Sequence, residues 1–336
     1  MAGMKAVRFH QHGGPEVLQY EDAPDPQPAE GRAIVRVRAC ALNHLDLWER
    51  RGLDRVKLPL PHISGADVAG EVVGTGQRVM LQPGLRCGGC AACRRGDDNH
   101  CVQYDVLGLR SDGGYAELIS VPLENLIPIP ATLDFITAAA FPLTFLTAWH
   151  MLIARGQLRE GDVVLVLAGG SGVGQAAIQL ARHFGARVFA TSAPEKAERT
   201  LALGAEQVFD HYSVDFSKEV RRLTGGRGAD IVIEHVGEAT WDRSVRALAT
   251  GGRVVTCGAT SGFAASLDLR HLFARQLSLL GSYMGRFAEL DSAVQLLFDG
   301  RVTPVVDEVF PLERAADAQR RLENKGQFGK VVLQVS

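Results

Sequence analysis

Four of the six cysteines lie close together, at Cys87, Cys90, Cys93 and Cys101. Thiolates are soft ligands that suit tetrahedral zinc, and the C-x2-C-x2-C-x7-C spacing lets one loop wrap a single ion. Four thiolates fill the coordination sphere, so such a site has no open position for water or substrate. We therefore expect one structural zinc ion per chain in this loop. The alternatives are disulfides and a redox or iron–sulfur role.

The composition is that of an ordinary globular protein and predicts its cellular context. The 336 residues carry a formal charge of −2, and 46% of them are hydrophobic. Lys and Arg form no dense basic patch and no apolar run is long enough for a membrane span, so neither nucleic acid nor a membrane is an expected partner. The N-terminal residues lack the apolar core of a signal peptide. We expect a cytoplasmic protein, whose reduced thiols favour metal binding over disulfides.

A glycine-rich stretch, AGGSGVG, is the second group of residues with a recognisable chemistry. It follows a strand pattern and opens a helical pattern, the setting of a dinucleotide-binding turn. Glycines here allow a sharp turn, a close approach of the backbone to the pyrophosphate, and close packing of helix on strand. A turn with only a structural role is the alternative. The expected cofactor-binding residues of the turn are Gly169, Ser171, which replaces the middle glycine, Gly172, Val173 and Gly174.

The end of the next predicted strand indicates which dinucleotide is bound. NAD sites usually place a carboxylate there for the ribose hydroxyls. This chain instead has Thr191 and no acidic residue before Glu195. The hydroxyls of Thr191 and Ser192 can bond a 2′-phosphate, and Lys196 can neutralise it. The sequence therefore predicts NADP(H) as the cofactor, unless Lys196 is only a surface charge.

The elements that must position these residues follow two patterns. The first part of the chain has alternating strand patterns such as RAIVRVRA (32–39), then a helix in ALNHLDLWERRG that ends at Gly52. From DVVLVLAGG onward, strands alternate with helices, which predicts a doubly wound parallel sheet. We expect an α/β protein with a β-rich domain of residues 1–130 and 302–336 and a dinucleotide-binding domain of residues 131–301.

Motifs along the whole chain resemble the medium-chain dehydrogenase/reductase superfamily, which includes zinc alcohol dehydrogenases and quinone oxidoreductases. The matching stretches are MKAVRFHQHGGPEVL, CALNHLDLWERRG, SGADVAGEVVG, the four-cysteine loop, GGYAEL, PLTFLTAWHML, AGGSGVG, GGRVVTCGATSG and FGKVVL. The resemblance implies a GroES-like catalytic domain and a Rossmann NADP(H)-binding domain, with the active site in the cleft between them. It also assigns the four cysteines to a structural zinc lobe. An edge strand in LSLLGSYMG (277–285) is the expected contact of a homodimer, with a tetramer as the alternative.

Zinc alcohol dehydrogenases hold a second, catalytic zinc, and the resemblance places its ligand positions at Asn43, Ala66 and Leu143. Alanine and leucine have no donor atom, and a neutral amide is a poor zinc ligand. We therefore expect no catalytic zinc; an irregular site that uses Cys40 or His62 is the alternative. Without this Lewis acid, hydride can still reach acceptors that spread the arriving charge themselves, such as quinones, enones and enoyl thioesters.

The resemblance also suggests roles for individual residues. Asn43 is an expected catalytic residue, whose amide could donate a hydrogen bond to the substrate oxygen. The alternative is that Asn43 serves solely as the N-cap of the following helix. Asp46 and Asp67 are expected to organise buried hydrogen bonds. The positions that the resemblance places against the cofactor are His44 at the pyrophosphate, Thr147 at the nicotinamide carboxamide with a catalytic role, Gly258 and Ala259 around the nicotinamide, and His211 at the adenosine phosphate or in an exposed loop.

These features predict an NADPH-dependent oxidoreductase that transfers hydride to a conjugated acceptor without a catalytic zinc. The expected partner is a small-molecule substrate. One alternative is a zinc-type alcohol dehydrogenase with unusual ligands. The other is a protein that binds NADPH and has no enzymatic activity, because a fold does not by itself fix a function.

Overall fold

A computed structural model describes residues 3–53 and 56–336. The chain divides into two compact units. The first unit contains the residues up to Leu143 together with Arg286–Phe298 and Thr303–Ser336. The second unit contains Thr144–Gly285 and Asp299–Val302.

The strands are numbered in chain order. They are β1 Met4–Arg8, β2 Gln19–Ala23, β3 Arg32–Ala41, β4 Asp67–Val72, β5 Arg78–Leu81, β6 Gly84–Leu85, β7 Asp105–Val106, β8 Leu118–Pro122, β9 Leu126–Pro128, β10 Val163–Val166, β11 Arg187–Ser192, β12 Gln207–Asp210, β13 Ala229–Glu234, β14 Leu248–Thr256, β15 Ser278–Gly281, β16 Val306–Pro311 and β17 Lys330–Gln334.

The α-helices are numbered in the same way, and α4 continues directly into a π-helix, His150–Arg155. They are α1 His44–Arg51, α2 Ala91–Arg94, α3 Phe135–Ala139, α4 Pro142–Trp149, α5 Gly172–His183, α6 Ala197–Ala202, α7 Phe216–Leu223, α8 Trp241–Ala247, α9 Leu269–Ala274, α10 Phe287–Phe298 and α11 Ala315–Glu323. Single turns of 3-10 helix lie at Pro15–Val17, Asp98–His100, Leu123–Asn125, Pro194–Lys196 and Leu312–Arg314.

The first unit is built around a mixed sheet with the strand order β16-β17-β3-β4-β5-β9, and β8 also pairs with β3. Its pairs are antiparallel except for β16 with β17. Alternate residues of β3, such as Val35 and Val37, are fully buried in the core. This alternation is what the sequence pattern of 32–39 predicts for a strand with one buried face.

The register of three neighbouring strands collects polar residues at one end of this sheet. β17 runs antiparallel to β3 with Val332 opposite Ala41, and the Leu42 N–H donates to the Val331 carbonyl. Asp67, the first residue of β4, also lies opposite Ala41. Lys330 begins β17, so the pairing carries Lys330 to the end of β3, next to Asn43.

The second unit contains a parallel sheet with the order β12-β11-β10-β13-β14-β15. Numbered within the unit, this order is 3-2-1-4-5-6, the Rossmann arrangement. Each connection between consecutive strands contains one helix, from α5 to α9. The central strand β10 is buried along its whole length, as parallel strands covered on both faces are. The predicted doubly wound parallel sheet is confirmed.

Two details differ from the sequence prediction. β14 begins at Leu248 rather than near Arg253, because Leu248 pairs with Ala229 before a bulge. Residues 131–143 and 286–298 belong to the first unit, whereas the sequence assigns them to the cofactor domain. The physical reason is their contacts: α3 packs on β3, β4 and β5, and the Phe287 N–H at the start of α10 donates to Asp98.

The predicted helix after β3 is confirmed as α1, which ends at Gly52 with a φ of 95° that favours glycine. Within residues 3–53 and 56–336, no helix combines the length and the apolar character needed to cross a bilayer.

Glu49, on α1, is a carboxyl group enclosed in the first unit, with a side chain that is only 1% exposed. Its Oε2 lies 3.9 Å from His62 Nε2, and that nitrogen lies 2.6 Å from the Gly108 carbonyl oxygen. Burial raises the pKa of Glu49 well above its usual range, and the charge of Asp46 raises it further. Burial also lowers the pKa of His62. Both groups therefore favour their neutral forms.

This burial makes folding stability depend on pH. A carboxyl group with a raised pKa in the folded state stabilises the fold fully only below its unfolded pKa of about 4.3, and that stability is lost as the pH rises through the folded value. We therefore expect the Tm of Glu49→Gln minus the Tm of wild type to become larger as the pH is raised from about 5 to about 9, because only the wild type has to ionise a buried carboxyl group. Thermal melts across this range measure the effect. The exposed control Glu30→Gln should show no such trend, and a constant difference for Glu49→Gln would contradict the prediction.

Candidate active site and metal centre

The four predicted zinc ligands converge in the segment between β6 and β7. The sulfur atoms of Cys87, Cys90, Cys93 and Cys101 all lie within 4.8 Å of one another. Cys87 Sγ is 3.4 Å from Cys101 Sγ, and Cys90 Sγ is 3.5 Å from Cys93 Sγ. Thiolates bound to tetrahedral zinc at ~2.3 Å are ~3.8 Å apart, so the cage has the size that zinc requires.

Backbone N–H groups around the sulfur atoms favour thiolates. The N–H groups of Cys87 and Gln103 each donate to Cys101 Sγ at 3.3 Å. Hydrogen bonds from the backbone at Cys93 and Val102 lower the pKa of Cys90 to about 6. A zinc ion held here by four thiolates would be closed to substrate, so it would add stability and take no part in catalysis. The cluster is compatible with the predicted structural zinc.

The glycine-rich turn joins β10 to α5, and close contacts explain two of its glycines. Ser171 is the N-cap of α5, where its Oγ accepts a hydrogen bond from the Gly174 N–H at 2.9 Å. A Cβ at Gly174 would lie 2.3 Å from the Ala168 carbonyl oxygen. A Cβ at Gly169 would lie 2.7 Å from Thr200 Cγ2. The turn therefore packs helix against strand as the dinucleotide-binding motif requires.

The turn lies where doubly wound sheets bind their ligands. β10 and β13 are neighbours at the point where the strand order reverses, and their carboxyl ends border the binding crevice of such folds. Gly172 and Val173 are the first residues of α5, so their N–H groups belong to the positive end of the helix dipole. These residues could hold a dinucleotide pyrophosphate.

His235 also lies at this point, directly after β13, although the sequence analysis does not identify it. Its Nε2 is 3.5 Å from Ser171 Oγ. Burial lowers the pKa of His235, so the neutral imidazole is favoured beside the turn. A Cβ at Gly258 would lie 3.3 Å from the His235 carbonyl oxygen, so the loop that carries Gly258 and Ala259 runs alongside. No motif marks His235, and only the sheet order brings it to Ser171.

The predicted 2′-phosphate ligands have different surroundings. Thr191 is buried, and its Oγ1 accepts a hydrogen bond from the Ala168 N–H at 3.0 Å. This bond ties β11 to the turn and leaves the hydroxyl proton as a donor, so the bond from Thr191 to a 2′-phosphate stays a prediction. Ser192 is also buried, and its hydroxyl donates to the Ala193 carbonyl. Lys196 is half-buried at the N-cap of α6.

The remaining predicted cofactor contacts lie on several elements. His44 is the first residue of α1, with its ring centroid 6.4 Å from that of Trp48. Thr147 is buried on α4. His211 follows β12, and its ring contacts the exposed Tyr212 ring in a tilted arrangement with 4.0 Å between centroids. The cofactor contacts of these three residues stay predictions.

The Asn43 amide lies in a buried network in the first unit. Its Oδ1 accepts a hydrogen bond from the Lys330 ammonium at 2.6 Å, and its Nδ2 donates to Asp67 Oδ2 at 2.9 Å. Lys330 Nζ also contacts Asp67 Oδ2 at 2.8 Å. Asp67 Oδ1 accepts from the Leu143 N–H at 2.8 Å. Lys330 and Asn43 are only 2% and 7% exposed, so the network is shielded from bulk water.

Asp46 supports the same network from α1. Its Oδ2 accepts from the Asn43 backbone N–H at 2.9 Å and from the Tyr115 hydroxyl at 2.8 Å. Burial raises the pKa of Asp46 to about 6 despite these bonds. Asn43 is thus the N-cap residue of α1, yet its side chain is held by Asp67 and Lys330. Asp46 and Asp67 act as the buried hydrogen-bond acceptors that the sequence analysis expects.

The residues at the catalytic zinc positions do not fit a metal ion. Ala66 has no donor atom, Leu143 offers only a backbone N–H directed to Asp67, and the Asn43 oxygen is taken by an ammonium. The two residues of the alternative site are also unsuitable. Burial raises the pKa of Cys40 well above its usual range, and His62 bonds Gly108. Among the residues that the structure describes, the four cysteines are the one His, Cys, Asp or Glu group with metal-binding geometry.

Lys330 is the main residue of this network that sequence reasoning misses. The signal for it is present in FGKVVL, where a single lysine heads an otherwise apolar strand. A lysine at such a position is buried only when it is paired. Its partners Asn43 and Asp67 are 287 and 263 residues away along the chain. That separation hides the pairing from any local pattern.

The closed thiolate site predicts the outcome of ligand removal. In Cys90→Ser the hydroxyl is a poor zinc ligand, so the zinc content should fall from about one per chain towards zero. The Tm should fall by about 5 °C or more because the metal stabilises the fold. Elemental analysis and thermal melts measure both effects, and Cys257→Ala, outside the cluster, should keep its zinc. Full zinc retention in a folded Cys90→Ser protein would contradict the four-thiolate assignment.

Comparisons with known proteins agree with this geometry. Residues 29–131 match the alcohol dehydrogenase GroES-like domain family, and residues 172–299 match the zinc-binding dehydrogenase family. The chain is 30% identical to a quinone oxidoreductase of Rattus norvegicus, over 98% of this chain and 97% of that protein. It is also 30% identical to a crotonyl-CoA reductase of Streptomyces collinus, over 94% and 80%.

Among solved structures, one described as an NAD-dependent alcohol dehydrogenase is 48% identical, with a TM-score of 0.96 over 99% of this chain and 100% of that chain. These similarities extend over both units, and the names include an alcohol dehydrogenase, a quinone oxidoreductase and a crotonyl-CoA reductase. They confirm the resemblance that the motifs indicate, together with the GroES-like and Rossmann folds. The chain belongs to the medium-chain dehydrogenase/reductase superfamily and is an oxidoreductase of that family.

Proposed function

We propose that this protein is an NADPH-dependent reductase that transfers hydride to a conjugated acceptor without a catalytic zinc. The acceptor is a quinone, an enone or alkenal, or an enoyl thioester. One observation carries the proposal: where a catalytic zinc would need ligands, the chain has Asn43, Ala66 and Leu143, and Lys330 occupies the amide oxygen of Asn43. An acceptor reduced at such a site has to stabilise much of the arriving charge itself.

The chemistry of conjugated acceptors meets this requirement. A reduced dinucleotide held at the glycine-rich turn would supply a hydride with its electron pair and would be left as NADP⁺. The hydride would add to the terminal atom of the conjugated system, which is carbon in an enone or enoyl thioester and the far oxygen in a quinone. The π electrons move to the acceptor oxygen, which becomes an enolate or hydroquinone anion. A hydrogen-bond donor such as the Asn43 amide can stabilise that oxygen. Water can provide the final proton, since the network offers no exposed acid for this step.

Similar proteins support this class of reaction. Two of them are named as a quinone oxidoreductase and a crotonyl-CoA reductase, and both names describe reduction of conjugated acceptors. For this chain, we propose that Gly169, Ser171, Gly172, Val173 and Gly174 bind the cofactor pyrophosphate. The proposed roles of His44, Thr147, His211, Gly258 and Ala259 follow the family positions given above. A homodimer formed through the sheet-edge strand β15 is part of the same proposal.

A second candidate function is an NAD-dependent alcohol dehydrogenase, favoured by the 48% identical structure of that description. The two candidates differ in their need for a Lewis acid. Alcohol oxidation develops an alkoxide, which zinc stabilises and a neutral amide stabilises poorly. The residues at the metal positions therefore favour the first candidate.

A substrate screen tests the proposed function directly. We expect oxidation of NADPH, followed by absorbance at the reduced nicotinamide band, with at least one quinone, alkenal or enoyl thioester. Simple primary and secondary alcohols should give a kcat/KM at least ~100-fold lower in the oxidative direction, because the site has no metal to stabilise alkoxide. The protein should carry its structural zinc during the assay. Efficient alcohol oxidation with no turnover of any conjugated acceptor would reverse the assignment.

The cofactor preference depends on the end of β11. With no carboxylate there to repel a 2′-phosphate, and with Lys196 nearby, we expect kcat/KM for NADPH to exceed that for NADH by about tenfold or more. Lys196→Ala should reduce this ratio mainly through the KM for NADPH. The exposed Lys218→Ala, on α7, is the matched control and should leave the ratio unchanged. A tenfold preference of the wild-type protein for NADH would refute the proposal.

A further inference from the structure

We propose that Lys330 is a positioning residue of the active site, whose ammonium group orients and polarises the Asn43 amide. It fixes the Asn43 amide with the nitrogen available as a donor, and its positive charge stabilises negative charge that develops on the acceptor oxygen. The inference rests on the proposed function, because it concerns the same hydride transfer. It assigns a role to a residue that neither the zinc positions nor the glycine-rich turn includes.

The donor chemistry of the network fixes which end of the Asn43 amide is which. An ammonium group has only N–H donors, so the Asn43 atom 2.6 Å from Lys330 Nζ must be the oxygen. An ionised carboxylate only accepts, so the Asn43 atom 2.9 Å from Asp67 Oδ2 must be the nitrogen. Each assignment requires the other. The amide therefore cannot rotate by half a turn without placing like groups against each other.

This orientation leaves one N–H of Asn43 for the acceptor. The Nδ2 atom carries two hydrogens, and Asp67 accepts one of them. The positive charge of Lys330 lies beside Asn43 Oδ1 and draws electron density from the amide. The remaining N–H of Asn43 is therefore a stronger donor. In a site shielded from water, this polarisation is larger than it would be on the surface.

The charges of the network are balanced before any acceptor binds. Asp67 accepts hydrogen bonds from Asn43 Nδ2, Leu143 N and Lys330 Nζ, so both of its oxygens are satisfied. Without Lys330, the Asp67 charge would remain beside the acceptor oxygen as it becomes an anion. The ammonium thus removes a repulsion as well as adding an attraction. A neutral residue at position 330 would forfeit both effects.

The step balances in atoms and electrons without a proton from Lys330. The C–H bond of the reduced nicotinamide would break, and the hydrogen would bond to the terminal carbon of an enone or enoyl thioester, or to the far oxygen of a quinone. The conjugated π pair would move to the acceptor oxygen. The nicotinamide is oxidised and the acceptor is reduced. Water then protonates the enolate or hydroquinone anion. Lys330 remains an ammonium bonded to Asn43 and Asp67 throughout.

The test removes the charge of Lys330 without leaving Asp67 unpaired, since a single Lys330→Met variant could fail to fold. In the double variant Lys330→Met with Asp67→Asn, both charges are absent. We expect its kcat with the best conjugated acceptor to fall by ~10-fold to ~100-fold, because the Asn43 donor is retained but is no longer oriented and polarised. The Kd for NADPH should change by less than about twofold, because the network lies outside the glycine-rich turn.

Three further variants separate positioning from structure. Lys330→Arg keeps a positive charge and should recover at least ~10% of the wild-type kcat, an effect that a packing role would not produce. Asn43→Ala should lower kcat at least as much as the double variant, since it removes the donor that the double variant leaves unoriented. The matched control is Arg321→Met with Asp307→Asn, another ion pair of the same unit, 3.0 Å long, between α11 and β16, the strand beside β17. It should alter Tm but not kcat.

Failure of this inference and failure of the proposed function give different results. If wild type reduces no conjugated acceptor with NADPH, the proposed function is wrong and the role of Lys330 is refuted with it. If wild type turns over and the folded double variant has a wild-type kcat, the function stands and the inference about Lys330 is overturned. Loss of kcat together with an equal loss in the Arg321 control pair would also overturn it. Loss confined to the Lys330 and Asn43 variants, with partial recovery in Lys330→Arg, supports it.

Discussion

A lysine ammonium enclosed in the first unit, 2.6 Å from an amide oxygen and 2.8 Å from a carboxylate, is the contact on which the chemistry of this site depends. A buried ion pair is tolerated only when hydrogen bonds satisfy the remaining polar atoms. Here the register of β17, β3 and β4 brings Lys330, Asn43 and Asp67 together, and the Leu143 N–H completes the coordination of the carboxylate. The sheet therefore positions a fixed positive charge with no need for an added ion.

A fixed ammonium and a metal ion stabilise different reactions. A catalytic zinc binds the reacting oxygen directly and stabilises alkoxide, which makes alcohols and aldehydes suitable substrates. An ammonium that acts through an amide donor gives weaker stabilisation, so it suits acceptors whose anion is already delocalised. The four-cysteine loop is consistent with this division, because a closed thiolate site can add stability but cannot bind substrate.

Local patterns predict much of the fold, and long-range pairing accounts for what they miss. The strand–turn–helix unit from β10 to β11 and the helix α1 with its final Gly52 follow from periodicity and glycine chemistry. The four cysteines are found from spacing alone. The role of Lys330 depends on strand pairing between residues that are 287 positions apart in the sequence. The hydrogen bond of the buried Thr191 hydroxyl depends on the Ala168 N–H next to the glycine-rich turn. Such contacts leave no periodic signal in the sequence.

Anomalous X-ray scattering at the zinc edge, on crystals grown with zinc and the reduced cofactor, tests the central claim most directly. The expected map has one strong peak per chain, surrounded by the sulfur atoms of Cys87, Cys90, Cys93 and Cys101, and no peak beside Asn43, where the Lys330 nitrogen should appear as ordinary density. A second zinc peak bound by Asn43 or Asp67, with Lys330 displaced, would contradict the account.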